Sequence, residues 1–287
     1  MSTPDQTIAF QGSLGAYSDM SCRAAYPEMK TQPCRTFEDA FQAVRDGVAA
    51  LAMIPIDNTV AGRVADIHHL LPDSGLHIVG EHFQPVNHHL LGVAGATLQD
   101  ITHAHSHIHA LNQCRRFNQT HNILPIDHVD TAGAAKDVAK WGDKTQAAIS
   151  SKLAAEIYGL TTLAKDLEDT EHNTTRFVVM AKDPVVPSPT MPHVMTTFVF
   201  RVRNLPAALY KAMGGFATNG VNMTKLESYL RGDFVAAQFY ADVEGHPEQA
   251  GLKNALDELR FFTHEVTILG TYPAHPYRLE QGRTQDD

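Results

Sequence analysis

The chain has 287 residues, 43% of them hydrophobic and 19% charged, so it can bury substantial cores, and disorder is excluded for most of its length. Its 23 basic and 32 acidic residues give a formal charge of −9, which argues against nucleic acid as the main partner. Three cysteines without a CxxC pair, no signal-like N-terminus and no long apolar run predict a cytoplasmic protein with no disulfide framework and no membrane span.

Strand-like and helix-like segments alternate through residues 1–182. A strand at 7–10 leads into a glycine loop at 12–18 and a helix, and Thr36 with Asp39 predicts a capping box at the start of the next helix. Further strands are predicted near 49–56, 76–80, 88–93, 101–105, 123–127, 146–150 and 176–181, and further helices near 63–71, 107–117, 131–140 and 151–158. This alternation indicates α/β layers with largely parallel strands, which bind ligands at strand carboxyl ends or between lobes.

A second pattern follows a break in composition. Four prolines in residues 183–193 predict an extended linker. Downstream, the periodicity predicts strands and helices in the order βαββαβ, at 197–203, 208–216, 221–230, 234–243, a helix after Pro247, and 266–272. Residues 194–278 are therefore predicted to form an antiparallel sheet with helices on one face. Because the other face needs a cover as well, we expect the protein to form oligomers. Residues 279–287 are predicted to be a polar, frayed tail.

Two polar segments lie at the ends of predicted strands, where ligands of α/β folds meet the protein. Residues 57–59 follow one strand directly, and Asn173, Thr175 and Arg176 mark the start of another. Arginine can clamp a carboxylate with two hydrogen bonds, and asparagine and threonine can hold a neutral polar group. By chemistry alone, a plain polar turn explains each segment as well as a binding site does.

Two other motifs invite weaker hypotheses. The loop at 12–18 enters a helix N-terminus, which favours an anion, but it is neither GxGxxG nor a Walker loop, and a plain turn explains it as well. Histidines at 103, 105, 107 and 109 would share a face only in a strand, whereas the pattern from Ser106 onward is helical. We expect no metal site there.

Together these segments resemble the prephenate dehydratase family. The strongest match is N-T-T-R-F at 173–177, which fits the family's NxTRF motif. Ser106-His107 with A-L-N-Q-C at 110–114 is similar to its SHPQALxQC segment, and P-I-D-N-T at 55–59 is similar to its PIENSxxGxV. Here Asp57 and Thr59 replace Glu and Ser. Several ordered motifs across residues 7–181 make the resemblance specific.

The resemblance implies a two-lobed α/β catalytic domain like a type-II periplasmic binding protein over 1–182, then a ferredoxin-like ACT regulatory domain over 194–278. It implies decarboxylating dehydration of prephenate to phenylpyruvate, water and CO2, with no metal or organic cofactor. The implied catalytic residues are Thr175, Asn58, Thr59, Ser106 and Gln113. The implied substrate-binding residues are Arg176, Phe177, Asn173 and Asp57. For Arg176 an internal salt bridge is the alternative to a substrate carboxylate, and Asp57 is also a possible proton source.

The resemblance also implies feedback by L-phenylalanine, bound between ACT domains of a homodimer or homotetramer. The implied effector-binding residues are Ala207, Ala208, Leu209, Glu227 and Ser228. Ala207 stands where the family has glycine, and Tyr229-Leu230 replaces Arg-Pro, so the strength and identity of the feedback stay open. Arogenate dehydratase, a non-catalytic small-molecule sensor and a histidine-based metal protein remain as alternatives.

Overall fold

The computed structural model describes residues 6–203, 205–231 and 235–283, which fall into two compact units. The first unit comprises residues up to 64 together with 82–177, and the second comprises 65–81 together with residues from 178 onward. In chain order, the elements up to the end of the first unit are β1 (Thr7–Gln11), α1 (Tyr17–Ala25), β2 (Lys30–Cys34), α2 (Phe37–Arg45), β3 (Leu51–Asn58), β4 (Gly62–Arg63), α3 (Ala65–Leu70), β5 (His77–Pro85), β6 (His89–Gly92), β7 (His103–Ser106), α4 (Ile108–Gln113), α5 (Arg115–Thr120), β8 (Leu124–Asp127), α6 (Thr131–Trp141), β9 (Gln146–Ser150), α7 (Lys152–Tyr158), β10 (Thr161–Ala164) and β11 (Thr174–Ala181).

Two sheets give this part of the chain its two α/β lobes. The first sheet has the order β2-β1-β3-β11-β5, with β4 beside β3, and β1 is parallel to both of its neighbours. The second has the order β10-β6-β9-β7-β8, in which β7 is parallel to β8 and β9 while β6 is antiparallel to β9 and β10. The two-lobed α/β architecture that the family resemblance implies is confirmed.

The differences from the predicted elements have local causes. Strands β2 and β10 were not predicted because they are edge strands with polar residues, and edges tolerate residues such as Pro33. The single helix predicted at 107–117 is two short helices separated at Cys114. The predicted capping box is present, since Thr36 Oγ1 accepts from the Asp39 N–H at 3.1 Å and Asp39 Oδ2 from the Thr36 N–H at 3.2 Å.

The glycine loop before α1 packs against the second lobe. Gly15 has φ +88°, and a Cβ there would lie 2.8 Å from Ala154 Cα, so only glycine fits without displacement. Ser151 Oγ donates to the Gly15 carbonyl at 2.5 Å, which ties the loop to the start of α7. The Gly15 N–H donates to Asp19 at 2.8 Å, so a carboxylate of the chain itself serves the helix N-terminus. This arrangement fits the plain-turn interpretation of the motif.

The second unit has the predicted βαββαβ order. Besides α3 and parts of β5 and β11, its elements are β12 (Val194–Val202), α8 (Ala208–Thr218), β13 (Met223–Arg231), β14 (Val235–Glu244), α9 (Ala250–Phe262), β15 (Thr263–Pro273) and α10 (Pro276–Arg283). The antiparallel sheet has the order β13-β14-β12-β15, and one of its faces forms an apolar core with α8 and α9. Of the predicted turn at 231–233, residues 232 and 233 lie outside the described residues.

The opposite face of this sheet is partly covered from within the unit. His68 of α3 packs edge-on against Tyr240, with ring centroids 5.1 Å apart. Beside them, Thr197 Oγ1 lies 2.5 Å from Asp242 Oδ1 and 2.7 Å from the Tyr272 hydroxyl, and all three side chains are buried. The face that the sequence left uncovered is therefore occupied in part by residues 65–81, which weakens the argument from that face to oligomerisation.

The C-terminal helix is anchored by an ion pair. Arg278 Nε and Nη2 lie 2.6 and 2.9 Å from the two carboxylate oxygens of Glu81, and the His275 N–H donates to the same carboxylate. The prediction that the tail frays from residue 279 is therefore wrong as far as Arg283, because α10 continues to that point. Residues 284–287 lie outside the described residues.

The three cysteines are buried as free thiols in the first unit. Cys22 lies on α1, Cys34 ends β2, and Cys114 lies between α4 and α5. Burial raises the pKa of each thiol, so none is a ready thiolate near neutral pH. They contribute to packing, and no pair of them forms a disulfide.

Candidate active site

The end of strand β3 lies beside the start of strand β11, and three of the predicted site residues meet there. Asn58 Nδ2 donates to Thr175 Oγ1 at 2.9 Å and to Asn173 Oδ1 at 2.7 Å. Asn58 Oδ1 accepts the backbone N–H groups of Val60 at 3.0 Å and Ala61 at 2.7 Å. Because a backbone N–H can only donate, these contacts fix which side of the Asn58 amide is oxygen and which is nitrogen.

The Thr175 hydroxyl is thereby prepared to donate. Its oxygen accepts the hydrogen bond from Asn58, and no atom of the described part of the chain accepts its proton. The side chain is half-buried, so a small molecule can reach it. A threonine hydroxyl held in this way can donate a directed hydrogen bond to a ligand oxygen.

The contacts continue from Asn173 into the second lobe. Asn173 Nδ2 donates to Gln113 Oε1 at 2.9 Å, and the same oxygen lies 2.9 Å from His88 Nε2. His88 Nδ1 in turn lies 2.9 Å from the Tyr17 hydroxyl. The structure thus brings together Asn58, Asn173, Thr175 and Gln113 of the predicted set, from both lobes.

His88 and Tyr17 are members of this cluster that the sequence analysis did not identify. Burial lowers the pKa of His88, opposed by its hydrogen bond with Gln113 and by Glu168, so the imidazole is neutral near pH 7. Burial raises the pKa of Tyr17, which keeps the phenol protonated. The only sequence signal was the His88-His89 pair within a predicted strand and a tyrosine in the glycine loop, and neither pattern indicates a partner.

Arg176 and Asp57 lie on the opposite face of the sheet from Thr175 and Asn58. Successive residues of a strand point to opposite faces, and Arg176 Nη1 is 4.0 Å from Asp57 Oδ2. The Arg176 side chain is only 7% exposed. The predicted carboxylate clamp is therefore an internal ion pair, and the structure does not bring it to the Thr175 hydroxyl.

Three further predicted site residues have structural contacts instead. Thr59 Oγ1 donates to the His172 carbonyl at 3.0 Å and accepts the Thr174 N–H at 2.9 Å. Ser106 is fully buried and donates to the Ile149 carbonyl at 2.6 Å. Phe177 is fully buried in the core. None of the three offers a free polar atom or an accessible ring to a ligand, although Thr59 positions the strand that carries Thr175.

The histidine run does not converge. His105 Nε2 pairs with Gln146 at 2.8 Å, His103 Nδ1 lies 2.7 Å from Thr102 Oγ1, and His107 caps α4. Over residues 6–203, 205–231 and 235–283, no group of three or more His, Cys, Asp or Glu side chains could hold a metal ion. Over the same residues, no helix has the length and apolar character needed to cross a bilayer.

The predicted effector-binding residues lie in the second unit. Ala207 precedes α8 with φ +59°, the left-handed region that favours glycine, while Ala208 is buried and Leu209 packs on the helix-sheet core. Glu227 pairs with Lys225 at 3.2 Å, and Ser228 lies opposite Phe239 in the ladder of β13 and β14. The unusual backbone at Ala207 explains physically why a glycine suits this position.

Comparison with known proteins gives one consistent family. A family model described as "Prephenate dehydratase" matches residues 8–185. The chain is 54% identical over 275 residues, 96% of its length and 98% of the relative's, to a protein of Komagataeibacter europaeus named "Bifunctional N-acyl-homoserine lactone acylase/prephenate dehydratase". It is 38% identical over 281 residues, 93% of its length and 71% of the relative's, to "Arogenate dehydratase/prephenate dehydratase 1, chloroplastic" of Arabidopsis thaliana.

A solved structure agrees with these relatives. It is described as prephenate dehydratase in complex with L-Phe from Arthrobacter aurescens, and it is 28% identical to this chain. The TM-score is 0.83, and the match covers 93% of this chain and 90% of the other.

Proposed function

The chain belongs to the prephenate dehydratase family of lyases, and we propose that it converts prephenate to phenylpyruvate, water and CO2 in phenylalanine biosynthesis, in the cytoplasm. The hydrogen bond from Asn58 to Thr175 carries the proposal, because it leaves the Thr175 proton for a substrate oxygen. An odd, sparse set of three cysteines in the sequence agrees with a reducing compartment. The neutral amides around Thr175 provide directed donors without a cofactor.

The chemistry requires such a donor. The bond between the ring and its carboxylate breaks, its electron pair enters the ring to form the aromatic system, and the C4–O bond breaks with its electrons on oxygen. That oxygen takes up a proton and leaves as water. Thr175 donates a hydrogen bond to the departing hydroxyl, where negative charge develops, and solvent supplies the proton in the net reaction. A donor aimed at developing charge lowers the barrier more than it strengthens ground-state binding.

The placement of the charged pair agrees with this chemistry. Negative charge leaves the departing carboxylate as CO2 forms, so a strong cationic clamp on that group would stabilise the ground state and slow the reaction. Arg176 is paired with Asp57 on the other face of the sheet and makes no such clamp on the Thr175 side. Asp57, on that same face, is also poorly placed to act as the proton source.

Arogenate is the alternative substrate, with an amino group in place of the side-chain keto group. The Arabidopsis relative is named for both activities. Initial rates with prephenate and with arogenate, measured on the same preparation by separating phenylpyruvate from phenylalanine, assign the preference. We expect turnover of prephenate to be the faster.

The test of the catalytic assignment uses two variants. Thr175→Ala removes the hydroxyl, and we expect kcat for phenylpyruvate formation to fall by about 10²–10³-fold with an unchanged thermal melt. Thr175→Ser keeps the donor and is the matched control, with most of the activity retained. An alanine variant that turns over prephenate at the wild-type rate would remove Thr175 from the chemistry.

Feedback by L-phenylalanine is part of the same proposal. We assign residues 1–182 to the catalytic domain, 194–278 to an ACT domain and 183–193 to the segment joining them, with the effector bound between ACT domains of a homodimer or homotetramer. The related structure named with bound L-Phe supports this assignment. Equilibrium dialysis with L-phenylalanine, combined with rates measured at rising effector concentration, tests it, and an absence of binding would contradict it.

Amide hydrolysis is a second candidate activity. It rests on the 54% identity, over 96% of this chain, to the relative that is named as an N-acyl-homoserine lactone acylase as well as a dehydratase. Release of homoserine lactone from an N-acyl-homoserine lactone, measured on wild type and on Thr175→Ala, tests it. Equal release by both proteins would place that activity outside the Thr175 cluster, and no release would exclude it.

A further inference from the structure

The hydrogen bonds that connect the two lobes have directions that can be worked out atom by atom. The assignment starts at Asn58, whose oxygen is fixed by two backbone N–H groups. Its nitrogen therefore faces Asn173, so the facing atom of Asn173 is the oxygen. The Asn173 nitrogen then faces Gln113, whose facing atom must likewise be the oxygen. The backbone at residues 60 and 61 thus determines both of the following amides.

The next contact determines the state of His88. Gln113 Oε1 is an acceptor only, so the His88 nitrogen 2.9 Å away, Nε2, must carry a proton. With the imidazole neutral, Nδ1 is then an acceptor and takes a hydrogen bond from the Tyr17 hydroxyl at 2.9 Å. Tyr17 also lies 2.7 Å from the Asn87 carbonyl, which provides a second acceptor for the same proton. The alternative tautomer would set two lone pairs against each other at Gln113.

The position of His88 is held from its backbone side as well. The His88 N–H donates to Glu168 Oε2 at 2.9 Å, and Asn87 Nδ2 donates to Glu168 Oε1 at 3.0 Å. The ring is only 2% exposed and meets the Tyr17 ring edge-on, with centroids 5.5 Å apart. Glu168 and His89 are the neighbouring titratable groups that act on its charge, besides Tyr17 itself. The imidazole therefore has one orientation and one neutral tautomer.

We propose that His88, protonated at Nε2 and fixed by Tyr17, is a positioning residue that locks the Gln113 amide so that its two N–H groups face the substrate. The oxygen of Gln113 is saturated, since it accepts from both Asn173 and His88. Its Nε2 has no protein acceptor within the described part of the chain, and the side chain is half-buried. Gln113 and Thr175 then present only donors, which suits the oxygen-rich anion of the proposed function, on which this inference rests.

The central experiment is a double-mutant cycle on kcat. His88→Phe removes the Nε2 donor at similar volume, and we expect kcat to fall by roughly tenfold with a smaller change in KM, since misplacement of a catalytic group costs up to about 10²-fold. Asn173→Ala removes the other partner of Gln113 Oε1. If His88 acts through this amide, the His88→Phe loss should shrink to about twofold or less in the Asn173→Ala background. Losses that multiply instead would overturn the proposal.

Two variants separate positioning from packing. His88→Gln supplies an N–H donor in place of the imidazole Nε2, and it should recover most of the kcat lost in His88→Phe. His68→Phe is the matched control, because His68 is equally buried but lies in the second unit, and its kcat should stay at the wild-type value. A His88→Gln variant as impaired as His88→Phe, with both folded, would show that the ring is needed only for packing.

A spectroscopic measurement keeps the proposal testable without turnover. The ¹⁵N shifts of His88, assigned by difference between wild type and His88→Gln, report which nitrogen carries the proton. We expect the Nε2–H tautomer, and an Nδ1–H tautomer would refute the proposal. This result does not depend on the substrate, so a protein that fails to turn over prephenate but shows the Nε2–H tautomer would contradict the proposed function and leave the hydrogen-bond assignment standing.

Discussion

Strand β11 separates two chemically different environments across the thickness of one sheet. On one face, Thr175 meets neutral amides whose every hydrogen bond has a defined direction. On the other, Arg176 and Asp57 form a largely buried ion pair. The residues to which we assign the chemistry thus lie among neutral dipoles, and the charged pair lies one residue away on the opposite face. An ion pair is a strong interaction with little directionality, whereas an amide N–H gives a directed hydrogen bond. In the proposed reaction the departing hydroxyl needs a correctly directed donor.

The largest effect expected from this comparison comes from reversing one dipole. Asn58→Asp changes the shape of the side chain little, but a carboxylate can only accept hydrogen bonds. It would therefore accept the hydrogen bond of the Thr175 hydroxyl, which is then not available to a ligand, and it would repel Asn173 Oδ1. We expect kcat to fall by about 10²–10³-fold, as when an oxyanion donor is lost. Phenylpyruvate formation at saturating prephenate measures it, with circular dichroism as the folding control. A kcat within a few-fold of wild type would show that the direction of the hydrogen bond between Asn58 and Thr175 does not matter for the reaction.

The reciprocal change at the neighbouring position should affect stability instead. Asp57→Asn removes the negative partner of the poorly exposed Arg176 guanidinium. We expect the free energy of unfolding to drop by about 1–3 kcal/mol, the range for losing one hydrogen-bonded charged partner, and kcat to stay near wild type. Urea unfolding gives the first quantity and initial rates the second. A large loss of kcat in the folded variant would place the ion pair in the chemistry after all.

Low pH should lower the free energy of unfolding through protonation of His88, which belongs to the hydrogen-bonded cluster around Thr175. Because burial lowers its pKa, the native imidazole stays neutral where the unfolded one, with a pKa of about 6.5, takes up a proton. Unfolding therefore binds protons, and stability falls as the pH drops below about 6.5. His88→Gln lacks this uptake, so its loss per pH unit should be smaller than that of wild type by at most about 1.4 kcal/mol. Parallel slopes in urea titrations would show that His88 is charged in the native state.

The smallest expected effect serves as a baseline, because Ala207 lies in the second unit and the change should alter stability alone. Ala207 has φ +59°, where glycine is free of steric cost. Ala207→Gly should raise the free energy of unfolding by about 0.5–1 kcal/mol and leave kcat for prephenate unchanged. Thermal and urea unfolding measure the gain. A destabilised variant would show that the lost alanine methyl packs more than the backbone conformation costs.

The sequence predicted which segments carry the candidate site residues, but it did not predict on which face of the sheet each residue lies. The segments at 55–59 and 173–177 placed Asn58, Asn173 and Thr175 where a polar run meets an apolar strand, and the family resemblance implied their roles. Motif membership could not separate Thr175 from Arg176, since the pleat of a strand sends neighbours to opposite faces. Similarly, Ser106 matched a motif, but its hydroxyl donates a hydrogen bond to the backbone carbonyl of Ile149.

The residues that were missed depend on contacts across the fold. Tyr17 and His88 are 71 positions apart, and His88 and Gln113 are 25 apart, so no local periodicity joins them. The two lobes were implied by resemblance, whereas periodicity alone gave only alternating strands and helices. The occupation of the second sheet face by His68 also depends on a segment that lies far upstream in sequence.

The buried cysteines give this protein a built-in chemical reporter. Cys22 and Cys34 belong to the first lobe, Cys114 to the second, and the sequence has no cysteine after residue 114. A thiol reagent can modify them only during excursions that expose them, so labelling kinetics would time the opening of each lobe separately. The C-terminal unit would remain silent in the same experiment. Transient opening of the two lobes could therefore be followed in the wild-type chain by mass spectrometry, with and without L-phenylalanine.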